Sequence, residues 1–368
     1  MTYHPIIGLM SGTSLDGIDA TLIFTNGKNV TRSNFNSVTP YSKETKFLLN
    51  EAIDDPLKFL TDQNKFNYLS NLVTKDHAIA AKEIIFKSKI SPFLIGFHGQ
   101  TIFHDPQNNY SVQLGSGKQL SKLLKVDVVY NFRSNDIKKG GQGAPIAPIY
   151  HKSIIENLDL NLPVVAINIG GISNLSYLDD TILIGFDTGP GNNFMDFLMQ
   201  SKFSLQYDKD GIIARSGTPN FELIYSFLDQ EYFYKKPPKS LERKFLFEND
   251  VYSKIISLNP KDAMSTFCHL TALSIKKSYE LLPQNPKYSI LVGGGQNNIF
   301  LVSLLKKYLP SITLSANETK IPGDFIEAEL IAFLAARRYY HLPITFPSTT
   351  GVRKDMVGGT LIKFKSLT

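Results

Sequence analysis

The sequence predicts an α/β protein with two sheet-bearing halves, and three observations carry that prediction. Strand-length apolar runs alternate with apolar residues at helical spacing. Glycines gather where the apolar runs end. One device, an apolar run, a small polar turn and a second apolar run, appears once in each half. At 368 residues, the chain has length enough for about two domains.

In chain order, residues 6–10 and 18–24 flank Ser11-Gly12-Thr13-Ser14-Leu15-Asp16-Gly17 and read as a β-hairpin with a polar tip. Over 68–87, Leu69, Leu72, Val73, Ile79, Ala80, Ile84 and Ile85 fall at helical spacing, which predicts a helix on the first sheet. Residues 93–97 read as a buried strand running into His98-Gly99-Gln100-Thr101. The second hairpin pairs 164–169 with 175–178 around Gly170-Gly171-Ile172-Ser173-Asn174, followed by a strand at 182–186. Helices are predicted over 192–199 and 265–282, a strand over 288–292 ending in Gly293-Gly294-Gly295, and a helix over 299–308. The polar insert 232–250, with Lys235-Lys236-Pro237-Pro238-Lys239-Ser240, interrupts this alternation and reads either as a surface lid or interdomain loop or as a plain charged excursion.

Composition narrows the function classes. With 42% hydrophobic and 20% charged residues, a mainly disordered or fibrous chain is excluded. No apolar run approaches the roughly 20 residues of a membrane-spanning helix, and the first residues lack a basic region followed by an apolar one, so the expectation is an untargeted, soluble, cytoplasmic protein. The lone Cys268 excludes an internal disulfide framework and a thiolate metal cage. The net charge of +6 comes from lysines scattered singly or in pairs, which reads as a lysine-rich surface or a mild bias toward anionic small molecules, not as a nucleic-acid site.

Glycine turns at strand ends bring backbone N–H groups against phosphate oxygens. The standard nucleotide motifs are nevertheless missing. Residues 112–118 contain Gly117-Lys118 but lack the first glycine and the following Ser/Thr of a P-loop, and neither Gly141-Gln142-Gly143 nor Gly293-Gly294-Gly295 has the third glycine of the dinucleotide fingerprint. What remains is a pair of hairpin turns, one per half, and a Gly-rich strand end.

Residues 8–19, Gly-Leu-Met-Ser-Gly-Thr-Ser-Leu-Asp-Gly-Ile-Asp, resemble the signature of the anhydro-N-acetylmuramic acid kinases, of the actin-like, sugar kinase and Hsp70 superfamily. The resemblance continues in the family's order through residues 96–106, 132–136, 140–145, 168–175, 186–192 and 293–295, so it covers nearly the whole chain. It implies a two-lobed actin-like (ribonuclease H-like) α/β fold with an interdomain cleft, one domain from residues 1–133 plus about 341–368 and the other from 134–340. It further implies an ATP- and Mg²⁺-dependent enzyme that opens the 1,6-anhydro ring of 1,6-anhydro-N-acetylmuramic acid with water and phosphorylates O6. Small-molecule substrates are the expected partners, with a homodimer a further expectation. The chain departs from the family at the lid, where Pro238-Lys239-Ser240-Leu241-Glu242-Arg243 replaces Pro-Lys-Ser-Thr-Gly-Arg.

Residue roles follow from the residues and the resemblance together. The first turn, Gly12, Thr13, Ser14, Leu15, Asp16, Gly17, Ile18 and Asp19, is expected to face the β/γ-phosphates, with Asp16 or Asp19 holding hydrated Mg²⁺. Its alternative is an Asx turn that only closes a hairpin. Gly170, Gly171 and Asn174 would face the phosphates from the other domain, and Gly293, Gly294 and Gly295 would form the nucleotide platform. Asp187, at the end of an apolar strand and too early to cap the helix near Asn192, is the expected base; as an unpaired, desolvated carboxylate its pKa would rise. The resemblance assigns the matching aspartate to activating water. Glu327 either closes a capping box with Asp324 or, as the matching Glu-Ala pair implies, contacts substrate. His98, Gln100 and Thr101 would bind sugar hydroxyls or order their own loop, whereas Arg133, Asp136 and Gln142 would recognise the lactyl carboxylate or N-acetyl group or form a polar hinge. The rival functions are an ordinary sugar kinase of the superfamily and a non-metabolic actin-like ATPase.

Overall fold

The structure is a computed structural model that describes residues 2–12, 15, 17–105, 110–241, 243–321 and 323–365. The chain opens with a meander, β1 (His4–Ser11), β2 (Ile18–Thr25) and β3 (Val30–Thr39), followed by the long helix α1 (Gln63–Ser88). Next come β4 (Leu94–Asp105), β5 (Tyr110–Leu114), α2 (Gly117–Leu124), β6 (Val128–Tyr130) and α3 (Ser134–Lys138). A second meander, β7 (Val164–Ile169), β8 (Ile172–Leu178) and β9 (Leu183–Pro190), leads into α4 (Asn193–Leu198) and the long α5 (Pro260–Ser278). Then follow β10 (Tyr288–Val292), α6 (Ile299–Tyr308), β11 (Ile312–Leu314), α7 (Ile326–Tyr339) and β12 (Thr360–Ile362).

Contacts divide the chain into two units, Met1–Ser153 with Phe325–Thr368, and Ile154–Asp324. This division differs from the boundaries expected at 133/134 and 340/341, for a physical reason. Asp136 is fully buried and accepts the hydroxyl protons of Thr345 and Thr350, which ties α3 to the C-terminal segment. Helix α7 lies on β1, β2 and β4 and belongs with them.

In the first unit the sheet order is β12-β6-β4-β1-β2-β3, with β5 on the outer part of β4. The meander is antiparallel, and β4 and β6 follow parallel to β1. Gly8 and Gly96 share a rung of β1 and β4, and a Cβ on either would lie 1.8 Å from Ala328 O or 2.4 Å from Ile331 O. Helix α7 therefore rests directly on the sheet where no side chain intervenes. On the other side, Leu69, Val73, Ala80, Ala81 and Ile84 of α1 form one core with Ile7, Leu9, Leu22, Ile95 and Phe97. That helix starts five residues before the expected 68 because Asp62 caps it, accepting from the N–H groups of Asn64 and Lys65.

In the second unit the order is β11-β10-β7-β8-β9, again an antiparallel meander followed by two strands parallel to its first. With β5 and β12 set aside, β3-β2-β1-β4-β6 and β9-β8-β7-β10-β11 follow the same 3-2-1-4-5 arrangement, the ribonuclease H-like topology expected of an actin-like ATPase. Helix α5 starts at Pro260, before the expected 265, because Asn259 caps it and proline is well placed in a first helical turn. Its Phe267 and Leu270 join Phe194, Tyr252, Phe186 and Ile167 in the unit's core. Each such buried side chain contributes about 2 kcal/mol. No helix among the described residues is long and apolar enough to cross a membrane.

Candidate active site

In the second unit the site is built on one rung of the sheet. Val292 of β10 pairs with Asn168 of β7, Asn168 with Asn174 of β8, and Asn174 with Asp187 of β9. Residues on one rung project to the same face, so two amides and a carboxylate stand side by side. Beyond this rung the register slips: Ser173 pairs with Gly189, leaving Thr188 as the extra residue of a β-bulge, its hydroxyl donating to Ser173 O at 3.2 Å. Gly189 has φ +149°, and a Cβ there would meet Ser274 Oγ at 2.7 Å, so the bulge needs glycine at this point.

Asp187 is buried, with 8% exposure, and is not the unpaired carboxylate that the sequence suggested. Its Oδ2 accepts the Leu241 N–H at 2.8 Å, its own N–H donates to Lys239 O at 3.2 Å, and its carbonyl accepts the Tyr232 hydroxyl at 2.7 Å. The insert is folded onto the strand end as a result, and Lys239, expected on a surface excursion, is only 1% exposed. Helix α4 has Asn192 at its N-cap position, so Asp187 has no capping role there.

The Gly170-Gly171 turn joins β7 to β8 with two residues. Its carbonyls accept from Asn192 N–H at 2.8 Å and Gly191 N–H at 3.0 Å. Because C=O and N–H of a trans peptide point opposite ways, this turns the N–H groups of Gly171 and Ile172 away from α4. Gly293 continues from β10 with φ +80°, and a Cβ on it would meet Asn168 Oδ1 at 2.3 Å; one on Gly295 would meet Ile169 at 2.3 Å. A Cβ on Gly294 would meet nothing within 4 Å. Gly170, Gly171, Asn174, Asp187 and the Gly293-Gly294-Gly295 run thus gather at one end of this sheet.

In the first unit, Thr13, Ser14 and Asp16 lie outside the described residues. Leu15 and Ile18 turn their side chains into the core, so only their backbone remains for a ligand. Gly17 packs against Val38 and Thr39 of β3, and Asp19, partly buried, stands on β2 opposite Met10. The turn is supported from beneath. Gln100 is fully buried; its Nε2 donates to Gly12 O at 3.2 Å and its Oε1 accepts the Tyr41 hydroxyl at 3.1 Å. Ser11 Oγ lies 3.2 Å from Gly99 O and 3.4 Å from Nε2 of the fully buried His77.

His98 is also buried, with Nδ1 2.9 Å from Gly99 O, so that nitrogen carries the proton. Its Nε2 accepts from Arg133 Nη2 at 3.3 Å, and Arg133 Nη1 donates to Gly143 O at 2.8 Å. Burial, reinforced by the Arg133 charge, pushes the His98 pKa down to about 3, so the ring is neutral. Asp136 shapes the next loop by accepting the Gly143 N–H at 2.8 Å, while Gln142 N–H donates to Thr350 O at 2.8 Å. Thr101 pairs with Gln113 of β5, whose Nε2 is 3.4 Å from the Thr101 hydroxyl.

Glu327, partly buried, occupies the first turn of α7. The expected capping box is absent: Phe325, at φ +63°, is the N-cap residue without a side-chain bond, and Asp324 Oδ1 accepts from Asn297 Nδ2 at 3.3 Å instead. An acid in a first helical turn is still favoured by the helix dipole.

Sequence reasoning missed Tyr41, His77, Asn168, Tyr232 and Lys239. Asn168 was accessible to it, being a polar residue in an otherwise apolar strand and the first residue of the string 168–175. The other four reach the site through contacts distant in sequence, which no local pattern reports.

The family model for anhydro-N-acetylmuramic acid kinase matches residues 4–363. An anhydro-N-acetylmuramic acid kinase of Zymomonas mobilis is 38% identical over 96% of this chain and 98% of its own. One from Bradyrhizobium diazoefficiens is 36% identical over 97% and 98%. Among solved structures, component A of the Acidaminococcus fermentans (R)-2-hydroxyglutaryl-CoA dehydratase overlaps 92% of this chain and all of its own, with 12% identity and a TM-score of 0.46. On the family match and the full-length relatives, the chain belongs to the anhydro-N-acetylmuramic acid kinase family.

Proposed function

We propose that this protein is an ATP-dependent kinase that opens the 1,6-anhydro ring of 1,6-anhydro-N-acetylmuramic acid with water and phosphorylates O6, yielding N-acetylmuramic acid 6-phosphate in the cytoplasm. The observation that carries the reading is the rung Asn168, Asn174 and Asp187 ending beside two glycine turns in the second unit. A carboxylate and backbone N–H donors then converge where water and phosphate have to meet.

In this mechanism Asp187 accepts a proton from the water whose oxygen attacks the anomeric carbon. The bond from that carbon to O6 breaks, O6 attacks the γ-phosphorus, and ADP leaves. The Leu241 N–H fixes the Asp187 carboxylate that takes the proton. Within the second unit, backbone N–H groups of the Gly170-Gly171 turn are suited to phosphate oxygens, with Asn174 on the neighbouring strand, and within the first unit the backbone of Gly12 and Gly17 is suited to the same task. His98, neutral and with its two ring nitrogens engaged by Gly99 O and Arg133, orders the loop at the strand end, and Thr101, Gln142 and Glu327 offer hydrogen bonds to sugar oxygens.

A magnesium ion fits the donor chemistry of the first turn, because Mg²⁺ needs only one or two carboxylates beside phosphate oxygens and water, and Asp19 stands at its edge. Asp19, with Asp16 outside the described residues, would hold it through water, and the ion would neutralise charge on the β/γ-phosphates.

The test is Asp187→Asn. Turnover should vanish while ATP and sugar still bind in calorimetry; an active variant removes Asp187 from the mechanism.

A further inference from the structure

The polar insert is joined to the strand end by a closed circuit of contacts, all within the second unit. Tyr232 donates its hydroxyl to Asp187 O at 2.7 Å, and its own carbonyl accepts from Lys239 Nζ at 2.9 Å. Lys239 returns to the strand through its carbonyl, which accepts the Asp187 N–H, and two residues on, the Leu241 N–H holds Asp187 Oδ2. The ammonium of Lys239 lies over the Tyr232 ring at 4.4 Å and the Phe186 ring at 5.6 Å. β9 is the edge strand of its sheet, so this segment also supplies the acceptor that an edge N–H requires.

We propose that Tyr232 and Lys239 are positioning residues for Asp187: together they fix the orientation of its carboxylate, and the buried Lys239 ammonium holds it in the ionised form that a base must have. The inference rests on the reading of Asp187 as the base. A buried lysine is costly unless it has a task or a partner. The Lys239 ammonium contacts Tyr232, and the charged groups within electrostatic reach of it are Asp187 on β9, Lys235 on the insert and Lys277 on α5. Burial pushes the Lys239 pKa down to about 8; Asp187 opposes that shift, and Lys235 and Lys277 add to it. The side chain is therefore still mostly charged at neutral pH, and Asp187 is the one anion among these groups.

The experiment is the pH dependence of kcat/KM for the full-length enzyme and for Lys239→Met, Lys239→Arg and Tyr232→Phe, with Tm and ATP affinity measured alongside. Removing a cation near a carboxylate favours its protonated form, so Lys239→Met should move the acidic limb up by about one pH unit and lower kcat about tenfold. Lys239→Arg should return the limb to its original place. Tyr232→Phe keeps the ring and the charge, so kcat should fall several-fold with the limb unmoved. A limb that stays put in a folded Lys239→Met variant overturns the charge role, and unchanged kcat in both Lys239→Met and Tyr232→Phe overturns the positioning role. If Lys239→Met does not fold, Lys239→Gln and Tyr232→Phe carry the same test. An active Asp187→Asn variant would instead show that the underlying reading of Asp187 has failed.

Discussion

At the ends of β1 and β4 in the first unit, polar side chains turn inward: Gln100 spans from Tyr41 to Gly12 O, His77 reaches Ser11, and His98 is held by Arg133 and Gly99. At the corresponding place in the second unit, Asn168, Asn174 and Asp187 line one rung, and the brace of Asp187 comes from the insert. The order of the five strands common to both sheets is the same. The first unit thus spends its polar groups on shaping a backbone turn, which suits phosphate, whereas the second puts a side chain with acid-base chemistry on the sheet itself. A duplicated topology sets where strand ends lie, and the local side chains decide whether backbone or carboxylate acts there.

The sharpest way to break this comparison is Asp187→Asn, which should lower kcat by about 10³-fold or more while Tm changes little; a mild loss would make the second unit as backbone-based as the first. Next in size, Gly96→Val places a Cβ about 2.4 Å from Ile331 O and should cost about 3 kcal/mol, read as a lower urea midpoint. An unchanged midpoint would mean that α7 does not need the Gly8 and Gly96 rung.

Acid should separate the units as well. Burial pushes His77, His104 and His151 down to about 4 and His98 to about 3, all in the first unit, and in the second only His269 is lowered. These rings are neutral when folded and take up protons when unfolded. Below the ordinary histidine value the unfolded state therefore binds more protons, and stability falls as pH drops from about 6.5 toward 4. Hydrogen exchange at pH 7 and pH 5 should show first-unit amides losing protection ahead of second-unit ones; equal loss would contradict the asymmetry.

Smaller still, Gln100→Ala should raise KM for ATP about fivefold with kcat nearly intact, because it loosens a support and leaves the reacting groups in place. A fall in kcat alone would move Gln100 toward the chemistry. Glu327→Gln should weaken sugar binding by a similar factor in calorimetry. Unchanged affinity with a lower Tm would restrict Glu327 to the helix end.

The hairpins, the glycine strings and the alternation of strands and helices were legible because each rests on local periodicity: residues 164–169 and 288–292 alternate with turns that only glycine serves well. Helix starts were less so, since Asp62 and Asn259 cap α1 and α5 earlier than their apolar patterns begin. The capping box at 324–327 had the right letters, yet Phe325 adopts a left-handed conformation and Asp324 bonds to Asn297. Least legible were the buried Lys239 and the pairing of Asp187 with Leu241, because a Lys/Pro-rich stretch looks solvated until a strand end 54 residues upstream gives it a partner.

The most direct test of the central claim is a mass spectrum of the products formed from Mg·ATP and 1,6-anhydro-N-acetylmuramic acid. The account predicts a species equal to the sugar plus one water plus one phosphoryl group, lost in Asp187→Asn. A sugar phosphorylated without gain of water, or ATP left unconsumed, would contradict it.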